Sequence, residues 1–352
     1  MMQPAWIAGR SATLDAAIAE AAKLLAASRS PLIAGLGTDV AGARAAILLA
    51  DRVGAALDHM HSAALLRNLD VTRASGVLIT TPGEVRNRAD VLFLVGPNVE
   101  AIPSAAKISR RVVRLCPGDG RSGSAGAADL VIGKSAKDVP VLLAALRARA
   151  AGRPAGKTAV TPKALDEFAG ILKAARFGVA MWSAADIDTL SIEMLCGLVN
   201  DLNAATRFST LPIEPSDNAV GVLQTCGWMT GFPMRTGFGR GFPEHDPWLF
   251  DGERRIESGE ADCVVWVSAY DAATPAWRKP PVTIALASGG ARFRTPPQVQ
   301  IEIGRPGRDH AAVETFAGGR VLAAVEASAP SDALSAADVL TRIAGALPEG
   351  GR

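Results

Sequence analysis

The chain has 352 residues, of which 49% are hydrophobic and 20% charged, with a net charge of +2 and a positive mean hydropathy. This composition excludes a disordered or collagen-like chain, and the near balance of charge gives no general pull toward nucleic acid or a membrane surface. Single cores rarely grow past ~250 to 300 residues, so two lobes are expected. No apolar run approaches the roughly 18 residues that span a bilayer, and residues 1–7 lack the features of a signal peptide. The expected location is therefore cytoplasmic. Cys116, Cys196, Cys226 and Cys263 form no Cys-x-x-Cys pair, which fits reduced, buried thiols better than disulfides, zinc or an iron–sulfur cluster.

Leu14, Ile18, Ala21 and Leu25 recur at helical spacing and predict a surface helix over 11–27, capped by Ser11 or Thr13. A strand over 30–37, a helix over 41–53 and a strand over 55–57 then make a βαβ unit. Its Gly35 and Gly37 resemble a dinucleotide loop, with Asp58 at the distance of a ribose-binding acid. Val40, however, stands where the third glycine of that loop is needed. His59 and His61 can face one way on an extended chain, yet no third ligand is in register for a metal. Residues 63–69 read as a helical turn or loop.

Residues 80–98 hold the most distinctive stretch: a polar loop with Arg86, Asn87 and Arg88, a strand over 91–95 without polar alternation, and a sharp Gly96-Pro97-Asn98 turn. An unbroken apolar run marks a strand covered on both faces. Ligands bind at the carboxyl ends of such strands, so Gly96 and Asn98 lie on the functional edge and Arg86 to Arg88 at the other end. A helix over 104–110, a strand over 112–116, a Gly/Ser loop over 118–126 and a strand over 129–132 follow. Arg110 and Arg111, with Arg114, form a candidate anion cluster. Gly133-Lys134-Ser135 and Gly156-Lys157-Thr158 fail as phosphate loops, because Ala128 and Ala151 replace the first glycine.

After a helix over 139–150 and a connector over 153–162, a second cycle opens with a helix over 163–174, a strand over 177–182 and a helix over 187–202. Residues 89–95 and 261–267 are similar runs, as a duplicated α/β unit would leave. Residues 226–251, rich in Gly, Trp, Phe and Arg and including Arg240, read either as a packed loop or as a docking surface. Strands over 282–287 and 299–303, a hairpin around Gly318-Gly319 and a helix over 336–347 close the chain.

Several separated pieces together resemble the B-type subunits of the formylmethanofuran dehydrogenase family, a branch of the molybdopterin oxidoreductases. They are Ala5-Trp6-Ile7-Ala8-Gly9, Ser30-Pro31-Leu32-Ile33-Ala34-Gly35, Gly83-Glu84-Val85-Arg86-Asn87-Arg88-Ala89-Asp90 with Gly96-Pro97-Asn98, and the carboxyl-terminal strand, hairpin and helix. The resemblance implies an α/β fold of two doubly wound, mainly parallel-sheet lobes, interleaved as 1–58 with 172–290 and 59–171, followed by 291–352. It departs from the redox members in two ways. No cysteine precedes Cys116, so an amino-terminal iron–sulfur domain is lacking, and Ala64 falls near the place of the cysteine that ligates tungsten or molybdenum.

The pattern is similar to the branch of the family found in bacterial formyltransferase/hydrolase complexes of one-carbon metabolism. Its implied role is a non-catalytic architectural subunit, with no catalytic residue, no metal and no cofactor. The implied partners are hydrolase (formylmethanofuran dehydrogenase A-like), formyltransferase and C-like subunits, and the glutamate-rich tail of a methanofuran-type carrier. His59, His61, Gly96 and Asn98 would line a vestigial cleft, while Arg86, Arg88, Arg110, Arg111 and Arg240 would meet the tail or a partner. The alternatives are an oxidoreductase subunit binding a pterin or nucleotide, and a thiamine-enzyme middle domain.

Overall fold

The computed structural model describes residues 4–104, 108–117, 128–315 and 321–348. In chain order, β1 (Ala5–Ile7) and β2 (Arg10–Ala12) form a short hairpin, followed by α1 (Leu14–Ala27), β3 (Pro31–Gly37), α2 (Val40–Val53) and β4 (Ala56–Leu57). Thr13 caps α1 and Asp39 caps α2, each supplying an oxygen to an amide the helix cannot satisfy itself. Ser11, the other expected cap, lies in β2.

The chain then enters α3 (Ser62–Ser75), α4 (Pro82–Arg88), β5 (Val91–Val95), β6 (Arg111–Leu115), β7 (Leu130–Ile132), α5 (Val139–Ala150), α6 (Pro162–Lys173), β8 (Gly178–Ser183), α7 (Thr189–Leu202) and β9 (Phe208–Ile213). It continues with α8 (Ala219–Thr230), β10 (Thr236–Gly237), β11 (Glu244–His245), α9 (Gly252–Glu257), β12 (Cys263–Ser268), β13 (Val282–Ser288), β14 (Val299–Ile303), β15 (Ala312–Thr315), β16 (Leu322–Val325) and α10 (Ala336–Ala346). Among the described residues, no helix is long and apolar enough to cross a membrane.

Two compact units result, one of residues 1–62 with 216–352 and one of residues 63–215. The boundaries differ from the sequence reading of 1–58 with 172–290, 59–171, and 291–352. Residues 172–215 join the second unit because β8 and β9 extend the β5 sheet in parallel. Residues 291–352 join the first because β14 pairs with β13 and α10 buries Val339, Leu340 and Ile343 in that unit's core.

The first unit's sheet runs β11-β10-β4-β3-β12-β13-β14-β1-β2. Its middle, from β4 to β14, is parallel, and antiparallel ribbons close both edges. One face packs into a large core with α1, α2, α8 and α10; the other forms a smaller core around Leu32, Val264 and Trp266. The second unit's sheet is parallel throughout, in the order β7-β6-β5-β8-β9. Phe93 and Val95 point into the core under α5, α6 and α7, and Leu92 and Leu94 into a smaller one with Val85 of α4. Both faces of β5 are thus buried, as its unbroken apolar sequence requires.

Several elements were hidden in the sequence. The polar loop expected before β5 is the helix α4, opened by Thr81, whose Oγ1 accepts from the Glu84 amide at 3.2 Å, with Pro82 next in its first turn; such an opening is a helix start signal. β9 carries Pro212, which is tolerated because β9 is the sheet edge. The expected loop over 226–251 begins inside α8 and contains the β10–β11 ribbon. The helix expected over 104–110 is absent from its described part, and residues 105–107 lie outside the described residues. The loop over 118–126 and the turn at Gly318-Gly319 also lie outside them, although β15 and β16 on either side of that turn pair antiparallel.

The similar runs 89–95 and 261–267 both become central strands led by an aspartate. Asp90 accepts at its carboxylate from the amides of Arg176 and Phe177 at 3.0 Å, donates its own amide to Phe177, and accepts at its carbonyl from Arg111. Asp262 accepts from the amides of Arg29 at 2.8 Å and Ser30 at 3.1 Å and from the Ser28 hydroxyl, donates its amide to Ser30, and accepts at its carbonyl from Val282. Each aspartate ties its strand to both neighbours. β5 opens its sheet in chain order whereas β12 follows β3 and β4, and the two runs share this device at the strand entry. Asp90→Ala and Asp262→Ala should each lower the unfolding free energy in urea titrations by about 1 to 3 kcal/mol, because each strands amides at a strand entry; Asp262→Asn, which keeps one acceptor oxygen, should lose less.

Candidate functional site

Open parallel sheets bind ligands in the crevice where strand order reverses, beyond the carboxyl ends of the strands. Counting strands within the second unit, the order is 3-2-1-4-5, with the reversal between β5 and β8. Gly96 and Asn98 follow β5 there, as the sequence implied. Its edge is crowded: the exposed Asn98 donates its side-chain amide to Asp186 at 3.2 Å, and a Cβ at Gly96 would meet the Ile187 side chain at 2.9 Å. Both partners come from the turn after β8.

The parallel middle of the first unit has the order 2-1-3-4-5, with its reversal between β3 and β12. The carboxyl end of β3 itself carries Gly35 and Gly37. Gly35 has φ +76° and lies so close to the Val267 carbonyl that no side chain fits. A Cβ on Gly37 would meet Met60 at 3.1 Å and Asp217 at 3.2 Å. The place where a dinucleotide loop would cradle phosphate is therefore packed with this chain's own side chains. Asp58, the candidate ribose acid, is also engaged: its carboxylate accepts from the Gly252 amide at 2.8 Å and faces Arg235 at 3.6 Å.

His59 and His61 stand beside this crevice. The His61 amide donates to His59 Nδ1 at 3.0 Å, so the His59 proton resides on Nε2, which donates to the Asp217 carbonyl at 3.3 Å. Both ring nitrogens are thus committed in the neutral form. Burial, and then the neighbouring His61, push the His59 pKa down to about 4. His61 Nε2 lies 3.3 Å from Asp217 Oδ2 and 3.2 Å from Ser216 Oγ, while Ser216 Oγ donates to the same Oδ2 at 2.7 Å. Ser, His and Asp meet here without forming a nucleophilic triad, because the serine proton already goes to the carboxylate and one imidazole nitrogen serves both neighbours.

Sequence reading missed Ser216, Asp217 and Asn218. Asp217 and Asn218 have φ of +59° and +53°, and Pro215-Ser216-Asp217-Asn218 has the composition of a tight turn that tolerates this.

The basic candidates do not converge. Arg86 and Arg111 are exposed at the amino ends of β5 and β6, across a five-residue strand, or ~17 Å, from Gly96 and Asn98. Arg88 pairs with Glu84 at 2.9 Å and lies over the Phe177 ring at 5.0 Å. Arg110 donates to the carbonyls of Ala89, Ile102 and Val85, closing the end of α4. Arg114 is buried and donates to the Val99 carbonyl. Arg240, in the first unit, pairs with Glu244 at 3.1 Å.

The protein is thus an α/β chain whose two sheets carry ligand-binding strand orders, parallel throughout in the second unit and in the middle of the first, with the chain's own side chains crowding each reversal point. No family model matches the chain. The B subunit of the formyltransferase/hydrolase complex Fhc of Methylorubrum extorquens is 35% identical over 366 residues, covering 99% of each chain. The crystal structure of the formyltransferase/hydrolase complex FhcABCD from the same organism, in complex with methylofuran, contains a chain that superposes with a TM-score of 0.85 at 36% identity, over 96% of this chain and 97% of that one. The chain belongs to the family of Fhc B-type subunits.

More distant is the B subunit of the tungsten-containing formylmethanofuran dehydrogenase 2 of Methanocaldococcus jannaschii, 29% identical over 283 residues, 72% of this chain and 64% of that protein. The residues present here do not fit such a metal. Ala64, near the place the resemblance gives to a ligating cysteine, is a buried methyl side chain in the second unit's core. Among the described residues, no three His, Cys, Asp or Glu side chains come together as a metal-holding set.

Arg110→Ala should destabilise the second unit by about 1 to 3 kcal/mol by stranding carbonyls that a charged donor now satisfies, whereas Arg111→Ala should leave its melting temperature unchanged. Asp58 and His59 should give opposite pH slopes. Burial lifts the Asp58 pKa to about 6, Arg235 offsetting this only in part. Between about pH 4 and 6 the folded state therefore holds a proton the unfolded chain has lost, and stability falls as pH rises. For His59 the unfolded chain holds the extra proton between about pH 4 and 6.5, and stability rises with pH. The two nearly cancel. Asp58→Asn should expose a rising slope of about 1.4 kcal/mol per pH unit at most, and His59→Gln a falling one, in denaturation series across that range.

Proposed function

We propose that this chain is a non-catalytic architectural subunit of a formyltransferase/hydrolase complex in one-carbon metabolism, working in the cytoplasm. Its partners on this reading are the hydrolase (formylmethanofuran dehydrogenase A-like), formyltransferase and C-like subunits. Together they move a formyl group from a tetrahydromethanopterin-type carrier to a methanofuran-type carrier and release it as formate. The observation that carries the reading is that the chain's own side chains crowd both reversal points, Ile187 against Gly96 with Asn98 bonded to Asp186 in one unit, and Met60 and Asp217 against Gly37 in the other. On this reading the chain serves through its surfaces. The likeness to one component of a four-chain complex solved with methylofuran supports the same role. Of the five basic residues considered for a carrier tail, Arg86 and Arg111 alone keep side chains without a partner among the described residues, so any tail contact of that set falls to them.

Coexpression of this chain with the three partner subunits should give a hetero-oligomer by native mass spectrometry, with transferase and hydrolase activity in the complex and none in the isolated chain. Stoichiometric tungsten or molybdenum in the purified chain, or formyl oxidation by it, would overturn the reading.

A further inference from the structure

Parallel strands are joined by crossovers, ordinarily helical, and a parallel sheet is ordinarily covered on both faces. In the first unit one face is covered by four helices, while the other has the short α9, which buries Ile256 there, and otherwise loops. The connection from β12 to β13, residues 269–281, and that from β13 to β14, residues 289–298, contain no helix or strand. They cross the sheet face whose core is Leu32, Ala34, Val264 and Trp266, and cover it with two half-buried rings, Trp277 and Phe293. Trp277 is held edge-on against Trp266, centroids 5.4 Å apart, and the Thr274 hydroxyl donates to the Arg292 carbonyl at 3.3 Å, joining one crossover to the other. Between them lies a shallow open groove lined by Pro275, Trp277, Pro280, Thr283, Phe293 and Arg294.

The charge carried by the two crossovers is basic, with the Glu302 carboxylate of β14 against Gly289 at their edge. From Ala272 to Ile301 the chain has four basic residues, Arg278, Lys279, Arg292 and Arg294, and no acidic one, although the chain as a whole is near balance. All four are exposed or half-exposed, and none of their side chains has an ion-pair or hydrogen-bond partner among the described residues. This sets them apart from Arg88, Arg240 and Arg254, each paired to a glutamate. Rings that offer rigid apolar area, set among unpaired cations, make a surface for a ligand with an apolar anchor flanked by carboxylates.

We propose that this groove docks an acidic segment of a partner polypeptide in the assembled complex, an apolar side chain seated against Trp277 and Phe293 and carboxylates meeting Arg278, Lys279, Arg292 and Arg294. The segment takes the place of the helical layer that the two crossovers lack. The inference rests on the architectural reading above and names the surface through which it acts.

The test uses the complex assembled by coexpression with the hydrolase, formyltransferase and C-like subunits. Amide exchange over 272–281 and 289–298 should slow on assembly relative to the free chain. Carbodiimide should couple Lys279 to an aspartate or glutamate of a partner chain, and Lys279→Arg should abolish that coupling without loss of assembly. Arg292→Glu with Arg294→Glu should weaken assembly about tenfold or more, in a salt-dependent way, while the double lysine variant should retain it. The docking proposal fails if an intact complex forms and these segments exchange as fast as in the free chain, if the charge-reversed chain assembles with unchanged affinity, or if Lys279 couples to the formyl carrier instead of a polypeptide. A wild-type chain that does not assemble at all overturns the architectural reading, and this one with it.

Discussion

A carboxylate at the entry of each central strand organises both sheets. A parallel strand enters its sheet with amides on either side that need partners at the moment the chain turns in from a helix or loop. Asp90 and Asp262 meet that need in the same way, the side chain capping the turn before one neighbour and the backbone spanning both. At Asp262, burial alone would raise the pKa, but the hydrogen bonds from Ser28, Arg29 and Ser30 outweigh it and hold the carboxyl below its ordinary value. The charged form is therefore the structural one. Register is set at the amino end of the strands, which frees the carboxyl end from structural duty.

In proteins of these strand orders, that freed end is where chemistry is placed. Here it is crowded by the chain's own groups. His59 has both nitrogens committed in its neutral form, Asp217 accepts a hydrogen bond from the Ser216 hydroxyl and stands against His61, and Asn98 is tied to Asp186. The histidine and Asp217 contacts are largely buried, whereas Asn98 is exposed. Not every polar atom near the first unit's reversal point is satisfied: Asp58 Oδ1, Asp217 Oδ1 and Ser268 Oγ are buried without a hydrogen-bond partner among the described residues. Four exposed cations without partners among the described residues lie elsewhere, on the two crossovers over the Trp266 face.

Much of the fold was legible because it rests on local rules. The apolar run over 91–95, the helical spacing from Leu14 to Leu25 and the βαβ order around Gly35 each became the expected element, since burial and backbone pairing act on neighbours in sequence. The misses have equally local causes: α4 was short and polar, β9 contained a proline allowed only at an edge, and α8 carried two glycines with weak amphipathic pattern. The arginines were misjudged for a different reason. Sequence shows a charge but not what it faces, and Arg110, which reads like part of an anion cluster, directs its donors to backbone carbonyls.

The amino-acid sequence by itself determined the α/β class and the family likeness, because these depend on residue type and spacing along the chain. Tertiary structure alone decided that the chain returns to its first unit at residue 216, that Met60 and Asp217 crowd Gly37 and Ile187 crowds Gly96, and that the two crossovers bearing Arg278, Lys279, Arg292 and Arg294 meet over one groove. Those outcomes depend on which distant segments meet. Met60 and Asp217, or Asn98 and Asp186, become neighbours only when parallel strands far apart in the chain are laid side by side.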